Sequence, residues 1–262
     1  LITVLGASGF IGSNVAAYLE RSGLEFQAVA RGQQWPAGPL GHVIYCIGVT
    51  SDFRERPYDA VDAHVCTLID FVRCASFDSI LYLSSTRMYR ERTGVAHEDD
   101  DVSVNPLRFE DIYGISKVMG ESIVLALGAK GRIARPANVY GPNQADTFLT
   151  LVLGEVRAGA IVFRTAPEAA RDFVHVDDVA AVLAKIALGG KQRIYNIASG
   201  VSITNAELAE AIARLSGCSV TFARDAAPAV LPRIDNERIR SEFGFTTMPL
   251  IDALPSLLGS RQ

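Results

Sequence analysis

The sequence predicts an α/β fold built on a doubly wound parallel sheet. Three observations lead there. Short apolar runs of strand length alternate with longer stretches of helical spacing through the first half of the chain. The first apolar run ends in a glycine-rich turn that opens a helix. The composition, 49% apolar and 21% charged over 262 residues, gives room for one large domain and a smaller lobe. Alternating strands and helices require right-handed crossovers, which leave the strands parallel and the helices on both faces.

The elements follow in order. Residues 1–5 form a strand that ends at Gly6, and residues 11–21 carry apolar positions at helical spacing with Gly23 as the stop. Residues 26–30 and 43–47 are strands, the second closed by Gly48. Residues 58–75 read as one long helix, 80–83 as a strand before the polar cluster 84–87, 111–127 as a helix, and 132–134 as the start of the next strand. Beyond it Pro136, Gly141 and Pro142 break the regularity. Residues 149–158 and 179–187 are helical in pattern. Thr204 stands as the N-cap of a helix to 215, with Glu207 completing a capping box. The acidic run 98–101 reads as a solvated loop.

The formal charge of −4 argues against nucleic acid or an anionic membrane as the main partner. No apolar run reaches the roughly 18 residues of a membrane span, and no leader-like segment stands at the start. Cys46, Cys66, Cys74 and Cys218 are scattered without a C-x-x-C pair. They predict reduced, mostly buried thiols in a cytoplasmic protein, with no metal site.

The turn Gly6-Ala7-Ser8-Gly9-Phe10-Ile11-Gly12 has a specific use. One glycine permits the tight turn, one lets the backbone approach a pyrophosphate, and one lets helix and strand pack closely. The helix N-terminus then offers N–H groups and positive dipole to phosphates. A dinucleotide is the predicted ligand, held by Gly6, Ser8, Gly9, Phe10, Ile11 and Gly12, with Gly48 joining from the next strand end. The second strand ends Val29-Ala30-Arg31-Gly32. An acid there would hold a ribose 2′-hydroxyl, whereas an arginine accommodates a 2′-phosphate. Arg31 therefore favours NADP(H) over NAD(H).

Tyr113 and Lys117 are four residues apart, hence on one helix face. Free tyrosine has a pKa of about 10, so a base at neutral pH needs roughly 4 kcal/mol of phenolate stabilisation. A lysine ammonium and an oxidised nicotinamide can supply it together. Ser84-Ser85-Thr86 follows the strand at 80–83, at the carboxyl end where ligands bind in such sheets.

Together these residues resemble the extended short-chain dehydrogenase/reductase family, in its nucleotide-sugar epimerase/dehydratase branch with a Rossmann-type fold. The likeness covers nearly the whole chain. The glycine turn is similar to the family's Gly-x-x-Gly-x-x-Gly. The segment Leu83-Ser84-Ser85-Thr86-Arg87-Met88-Tyr89 resembles its strand-end motif and selects Ser85, four residues before Tyr89, as the catalytic hydroxyl. Tyr113 and Lys117 match its Tyr-x-x-x-Lys. Arg135 to Pro142, Arg171 to Asp178 and Tyr195-Asn196-Ile197 resemble three further segments.

The resemblance implies substrate contacts at Thr86, Asn138 and Arg171, with Arg233 in a Pro-Arg context as a second candidate for the diphosphate. It divides the chain into a dinucleotide-binding domain at 1–136, with 172–198 returning to it, and a small C-terminal substrate lobe at 137–262. It implies a nucleotide-sugar epimerase or keto-sugar reductase. Tyr113 would exchange a proton with a sugar oxygen at C4, Ser85 would hold that oxygen, and hydride would pass to or from the nicotinamide. A non-catalytic NADP(H) sensor is the alternative, but such relatives lose the Tyr or Lys that this chain keeps. The family pairs the helices at 58–75 and 111–127 across a two-fold axis, and both carry apolar residues beyond one stripe, so a homodimer is expected.

Departures from the pattern matter as well. Residues 33–41, with Pro36 and Pro39, leave no room for the helix and third strand usual there, so that region of the sheet is trimmed. His64 stands where the family has Asn near the cofactor. Thr86-Arg87 replaces the acidic pair of the 4,6-dehydratases, which argues against elimination chemistry. Arg90 replaces the glycine expected after Tyr89.

Overall fold

Parallel pairing needs a crossover between neighbouring strands, and the chain supplies them in sequence. A computed structural model describes residues 1–49, 51–142, 144, 147–227 and 231–259. The chain opens with β1 (Ile2–Leu5), α1 (Phe10–Arg21), β2 (Phe26–Val29) and β3 (His42–Tyr45). A helix in two pieces follows, α2 (Pro57–Val61) and α3 (Thr67–Cys74), joined by a π-helical turn (Asp62–Cys66). Then come β4 (Ser79–Leu83), the short β5 (Val95–Ala96), α4 (Asp111–Leu125) and β6 (Gly131–Pro136). The second half holds β7 (Asn138–Tyr140), α5 (Phe148–Arg157), β8 (Ala160–Thr165), β9 (Ala170–His175), α6 (Val176–Gly189) and β10 (Ile194–Ile197). It ends with β11 (Ser202–Thr204), α7 (Asn205–Ser216), β12 (Ser219–Ala227), β13 (Arg233–Ile234), α8 (Glu237–Phe243) and α9 (Leu250–Gly259).

Six parallel strands form the large sheet in the order β10-β6-β4-β3-β1-β2. Alternate side chains divide between two cores, as a pleated strand requires. Ile44, Leu81 and Leu83 meet Val15, Leu19, Val179 and Leu183 of α1 and α6. Val43, Tyr45, Ile80 and Tyr82 meet Leu68, Phe71 and Val124 of α3 and α4. The sheet is therefore doubly wound. Its β2 edge is trimmed as expected: the chain runs from β2 to β3 through a loop that seats Trp35 against Phe71, ring centres 5.3 Å apart.

A second core lies among α5, α7, α9 and the small sheets, around Leu149, Phe163, Phe173, Leu208, Ile212 and Leu254. β10 returns to the large sheet beside β6 and α6 packs against α1, whereas β9 pairs with β7 and β11. The capping box is present: Thr204 Oγ1 accepts from the Glu207 N–H at 3.1 Å, and Glu207 Oε2 accepts from the Thr204 N–H at 2.7 Å.

Three expectations are corrected. Residues 58–75 are not one regular helix, because the π turn inserts a wider ring that buries Ala63, His64 and Val65. Glu98 is not solvated; it is 2% exposed, accepts from the Asn196 N–H at 3.0 Å and faces Arg238. The thiols are free but not mostly buried, since Cys66 and Cys74 lie exposed and only Cys218 is fully inside. No helix among the described residues is long and apolar enough to cross a membrane.

One buried polar network crosses the apolar packing. Arg135 of β6 donates to both oxygens of Glu121 of α4, at 2.9 and 2.6 Å, and to the Tyr89 hydroxyl at 2.5 Å. Tyr89 donates in turn to Asn196 of β10 at 2.9 Å. These ties join β6, α4, β10 and the turn after β4.

Candidate active site

The carboxyl ends of β1, β3 and β4 and the buried face of α4 converge on one place. Gly6 leaves β1 with φ +81°, and a Cβ there would come within 2.9 Å of the Ile47 nitrogen. A Cβ on Gly12 would collide with the Gly6 carbonyl oxygen. Both positions therefore need glycine. Gly9 caps α1 with no side-chain hydrogen bond, and no acid stands in the first turn. The first N–H groups of the helix have no intrahelical acceptor and meet no local negative charge. The turn fits a pyrophosphate.

Arg31 spans the turn. Its N–H donates to Ser8 Oγ at 3.3 Å and its Nη2 to the Gly48 carbonyl at 2.7 Å. Gly48 lies so close to the next layer that a Cβ there would stand 3.2 Å from His64 Nε2 and 3.6 Å from Lys117 Nζ.

α4 brings Tyr113, Lys117 and Glu121 to one buried stripe, each a full turn from the next. Lys117 Nζ donates to the Leu83 carbonyl at 2.7 Å, one residue before the serine pair. It also lies 5.0 Å from the Tyr82 ring centre and 6.0 Å from that of Tyr113. Burial draws the ammonium down to about 7, opposed by the charges of Glu121 and Cys46. The Ser85 hydroxyl lies beside the Tyr113 phenol and acts to lower its pKa. Burial lifts the phenol above its ordinary value, opposed by the Ser85 hydroxyl and the Arg87 charge. Ser85 Oγ accepts from the Arg87 N–H at 3.2 Å, which fixes its lone pairs.

His64 is fully buried at the back of this site. Ser116 Oγ donates to the Tyr113 carbonyl at 3.0 Å, so it accepts from His64 Nδ1–H at 2.9 Å. His64 Nε2 is then the acceptor for the Val49 N–H at 3.3 Å. The ring is neutral, and burial followed by the Lys117 charge pulls its pKa down to about 2.

The structure thus brings Gly6, Ser8, Gly12, Arg31, Gly48, Ser85, Tyr113 and Lys117 together. The substrate candidates are placed differently. Thr86 Oγ1 donates to the Pro136 carbonyl at 3.3 Å. Asn138 Nδ2 donates to the Asp172 carbonyl at 2.8 Å. Arg171 lies over the Phe148 ring at 3.9 Å and donates to Asn205 Oδ1 at 2.9 Å. Arg233 is exposed on β13. Among the described residues, no hydrogen bond or ion pair links Arg171 or Arg233 to the Ser85–Tyr113–Lys117 set. Asp172 holds a loop in place. Its carboxylate, which burial pushes up to about 6, accepts the Ser199 and Gly200 N–H groups at 2.8 Å each.

Three residues escaped the sequence reading. Glu121 continues the Tyr113–Lys117 spacing by one more turn, a signal that was there to use. Phe53, its ring centre 5.2 Å from that of Tyr113, gave no local signal, and Arg87, 5.8 Å from that ring centre, was noted only as a departure at the acidic-pair position and not as a site residue.

A glycine cradle at a strand end beside Ser85 and the buried Tyr113–Lys117 pair defines a Rossmann-type dinucleotide-binding protein. The profile of the NAD dependent epimerase/dehydratase family matches residues 39–198, and the chain belongs to that family. It is 27% identical to the GDP-6-deoxy-D-mannose reductase of Pseudomonas aeruginosa, covering 90% of this chain and 86% of that protein. The fold is similar to that of RMD from Pseudomonas aeruginosa complexed with NADPH, with a TM-score of 0.82 at 21% identity over 98% of this chain and 97% of the other. It is also similar to MoeE5 in complex with UDP-glucose and NAD, with a TM-score of 0.79 at 24% identity over 98% and 97%.

The neutral His64 makes stability depend on pH. Below about 6.5 the unfolded chain binds a proton at this ring that the folded chain refuses, so stability falls as pH falls. The expected loss between about pH 6.5 and about pH 5 is about 2 kcal/mol from this ring. Urea midpoints at about pH 7.5 and about pH 5 should differ less in His64→Asn than in the unaltered protein. An equal difference in both would assign the acid lability to other groups.

Proposed function

We propose that the chain is a cytoplasmic NAD(P)-dependent enzyme that epimerises a nucleotide-sugar or reduces a keto-sugar nucleotide, acting at a sugar carbon, C4 first. The observation that carries this reading is the buried Tyr113 phenol with the Ser85 hydroxyl beside it and Lys117 one helical turn away, next to the glycine cradle. The named relative acts on a GDP-linked sugar, and the two similar folds hold NADPH, or NAD with UDP-glucose.

Residues 1–136, with 172–198, would bind the dinucleotide, and 137–262 would complete the substrate site. The backbone of Gly6, Ser8, Gly9, Phe10, Ile11 and Gly12 would hold the pyrophosphate, with Gly48 beside it. Arg31 would face a 2′-phosphate, and Lys117 a ribose. The nicotinamide supplies hydride exchange when bound. The chain's own residues handle the proton. Ser85 holds the reacting oxygen by a hydrogen bond, and Tyr113 gives or takes a proton at that oxygen. The phenol, lifted by burial, is in the form that donates to a keto oxygen. Together with Arg31, this favours the reductive direction. Arg171, which has no carboxylate partner among the described residues, would meet the diphosphate, with Asn138 and Thr86 nearer the sugar. Arg233 is the weaker diphosphate candidate, since it is exposed on a two-residue strand. A sensor without turnover has no use for an intact Ser–Tyr–Lys set with Tyr113 and Lys117 buried.

A C2 homodimer is part of the proposal. On α2 and α4, Tyr58 is 83% exposed and Met119 49% exposed, an unsatisfied apolar surface on the two helices expected to pair. Val65, Leu68 and Val124 are used inside the subunit, so the interface would fall to the outward residues.

Three measurements test this reading. Tyr113→Phe should cut turnover of a keto-sugar nucleotide by about a hundredfold or more and leave cofactor affinity nearly unchanged; activity near the starting level would contradict the role. Fluorescence titration should show tighter binding of NADPH than NADH, with the difference reduced in Arg31→Ala. Equal affinities, indifferent to that change, would remove the NADP(H) preference. Light scattering at micromolar concentration should give twice the chain mass, and a monomer mass there would rule out a stable dimer.

A further inference from the structure

Arg87 contacts no anion among the described residues. Of the arginines drawn into the structure, Arg90 faces Asp111, Arg135 faces Glu121, and Arg238 faces Glu98 and Asp99. Arg132, Arg171 and Arg193 reach carbonyl or amide oxygens. The half-buried Arg87 guanidinium makes no hydrogen bond or ion pair with any described residue. It lies 5.1 Å from the Phe53 ring centre and 5.8 Å from that of Tyr113. Arg54 stands over the same Phe53 ring at 4.8 Å, so a second positive charge shares the neighbourhood. Burial and the charges of Arg54 and Arg90 weigh against the Arg87 guanidinium, opposed by Tyr113 and by Glu110, a carboxylate that itself pairs with Arg54 at 3.4 Å and does not reach Arg87. An arriving anion would offset that cost.

The place of Arg87 limits what that anion belongs to. Its own N–H donates to Ser85 Oγ at 3.2 Å, and its guanidinium carbon stands 5.8 Å from the centre of the Tyr113 ring. An anion at the guanidinium therefore lies beside the reacting carbon. In a nucleotide-hexose the diphosphate hangs on C1, across the ring from C4. The group next to C4 is C5 with its C6 substituent, and in a hexuronate that substituent is a carboxylate. A planar guanidinium receives a carboxylate by two parallel hydrogen bonds.

We propose that Arg87 receives a carboxylate carried by the sugar itself, next to the reacting carbon, so that the site selects a nucleotide-linked hexuronate over the neutral hexose. This rests on the nucleotide-sugar reading above and adds the charge of the sugar to it. Arg87 is then a specificity-determining residue.

Calorimetry on the NADP-saturated protein tests it with two matched pairs, UDP-glucuronate against UDP-glucose and GDP-mannuronate against GDP-mannose. In at least one pair the uronate should bind about tenfold more tightly or better, the worth of one charge-assisted contact. Arg87→Gln should bring that ratio close to one, and Arg87→Lys should keep part of it. Equal affinities in the unaltered protein overturn the proposal, whatever the variants do. So does an equal loss on both members of a pair in Arg87→Gln, which would place Arg87 at the diphosphate. If neutral hexoses bind without a uronate preference, only this proposal falls. If no nucleotide-sugar of either kind binds, the nucleotide-sugar reading falls and this one with it.

Discussion

The buried ion pair between Arg135 and Glu121 holds the helix on which the site depends. Two charges taken out of water are tolerated only with close geometry and further hydrogen bonds. Arg135 has both: two bonds to Glu121, one to Tyr89, and one to the Glu98 carbonyl at 3.3 Å. Leaving either partner alone would cost about 3–5 kcal/mol. The pair therefore fixes the rotation of α4 against β6. Because Glu121, Lys117 and Tyr113 share a stripe, the same rotation sets Lys117 on the Leu83 carbonyl and Tyr113 against Ser85.

A second tie holds the other side of α4. The π turn between α2 and α3 directs His64 inward, where it bridges Ser116 of α4 and the Val49 N–H beyond β3. One ring thus joins the helix of the candidate catalytic residues to the strand end that meets the glycine cradle. The ring suits this place because it stays neutral: a charged imidazole would face the Lys117 ammonium in a dry setting. π turns often occur at functional sites, and here the widened turn serves to aim one side chain.

Legibility in the sequence follows the range of each signal. The strand–turn–helix at the start was readable because glycine spacing and helical period are local, and the Thr204–Glu207 box for the same reason. Tyr113, Lys117 and Ser85 were found through spacing and chain order, and the structure places them together. Glu98 was misread because its sequence neighbours are three aspartates, while its partner Arg238 lies far along the chain. The π turn left no trace, since one extra residue per ring does not change the apolar count. Cys66 and Cys74 were misjudged because a thiol's burial depends on which helix face it happens to occupy.

The site then poses a charge problem that two residues share. Burial raises the Tyr113 phenol and lowers the Lys117 ammonium, so each is pushed toward its neutral form. Their charged forms have opposite sign, and a phenolate and an ammonium side by side would relieve each other. Arg87 adds a positive charge 5.8 Å from the phenol ring centre, and the Ser85 hydroxyl acts in the same direction, yet burial still dominates. Further positive charge close to the phenol oxygen moves the balance toward phenolate, and a bound carboxylate at Arg87 moves it back by cancelling that cation. The same arginine that would select an anionic sugar therefore also tunes the acid, and a site built this way would hold its proton on Tyr113 until the substrate and cofactor together fix the local charge.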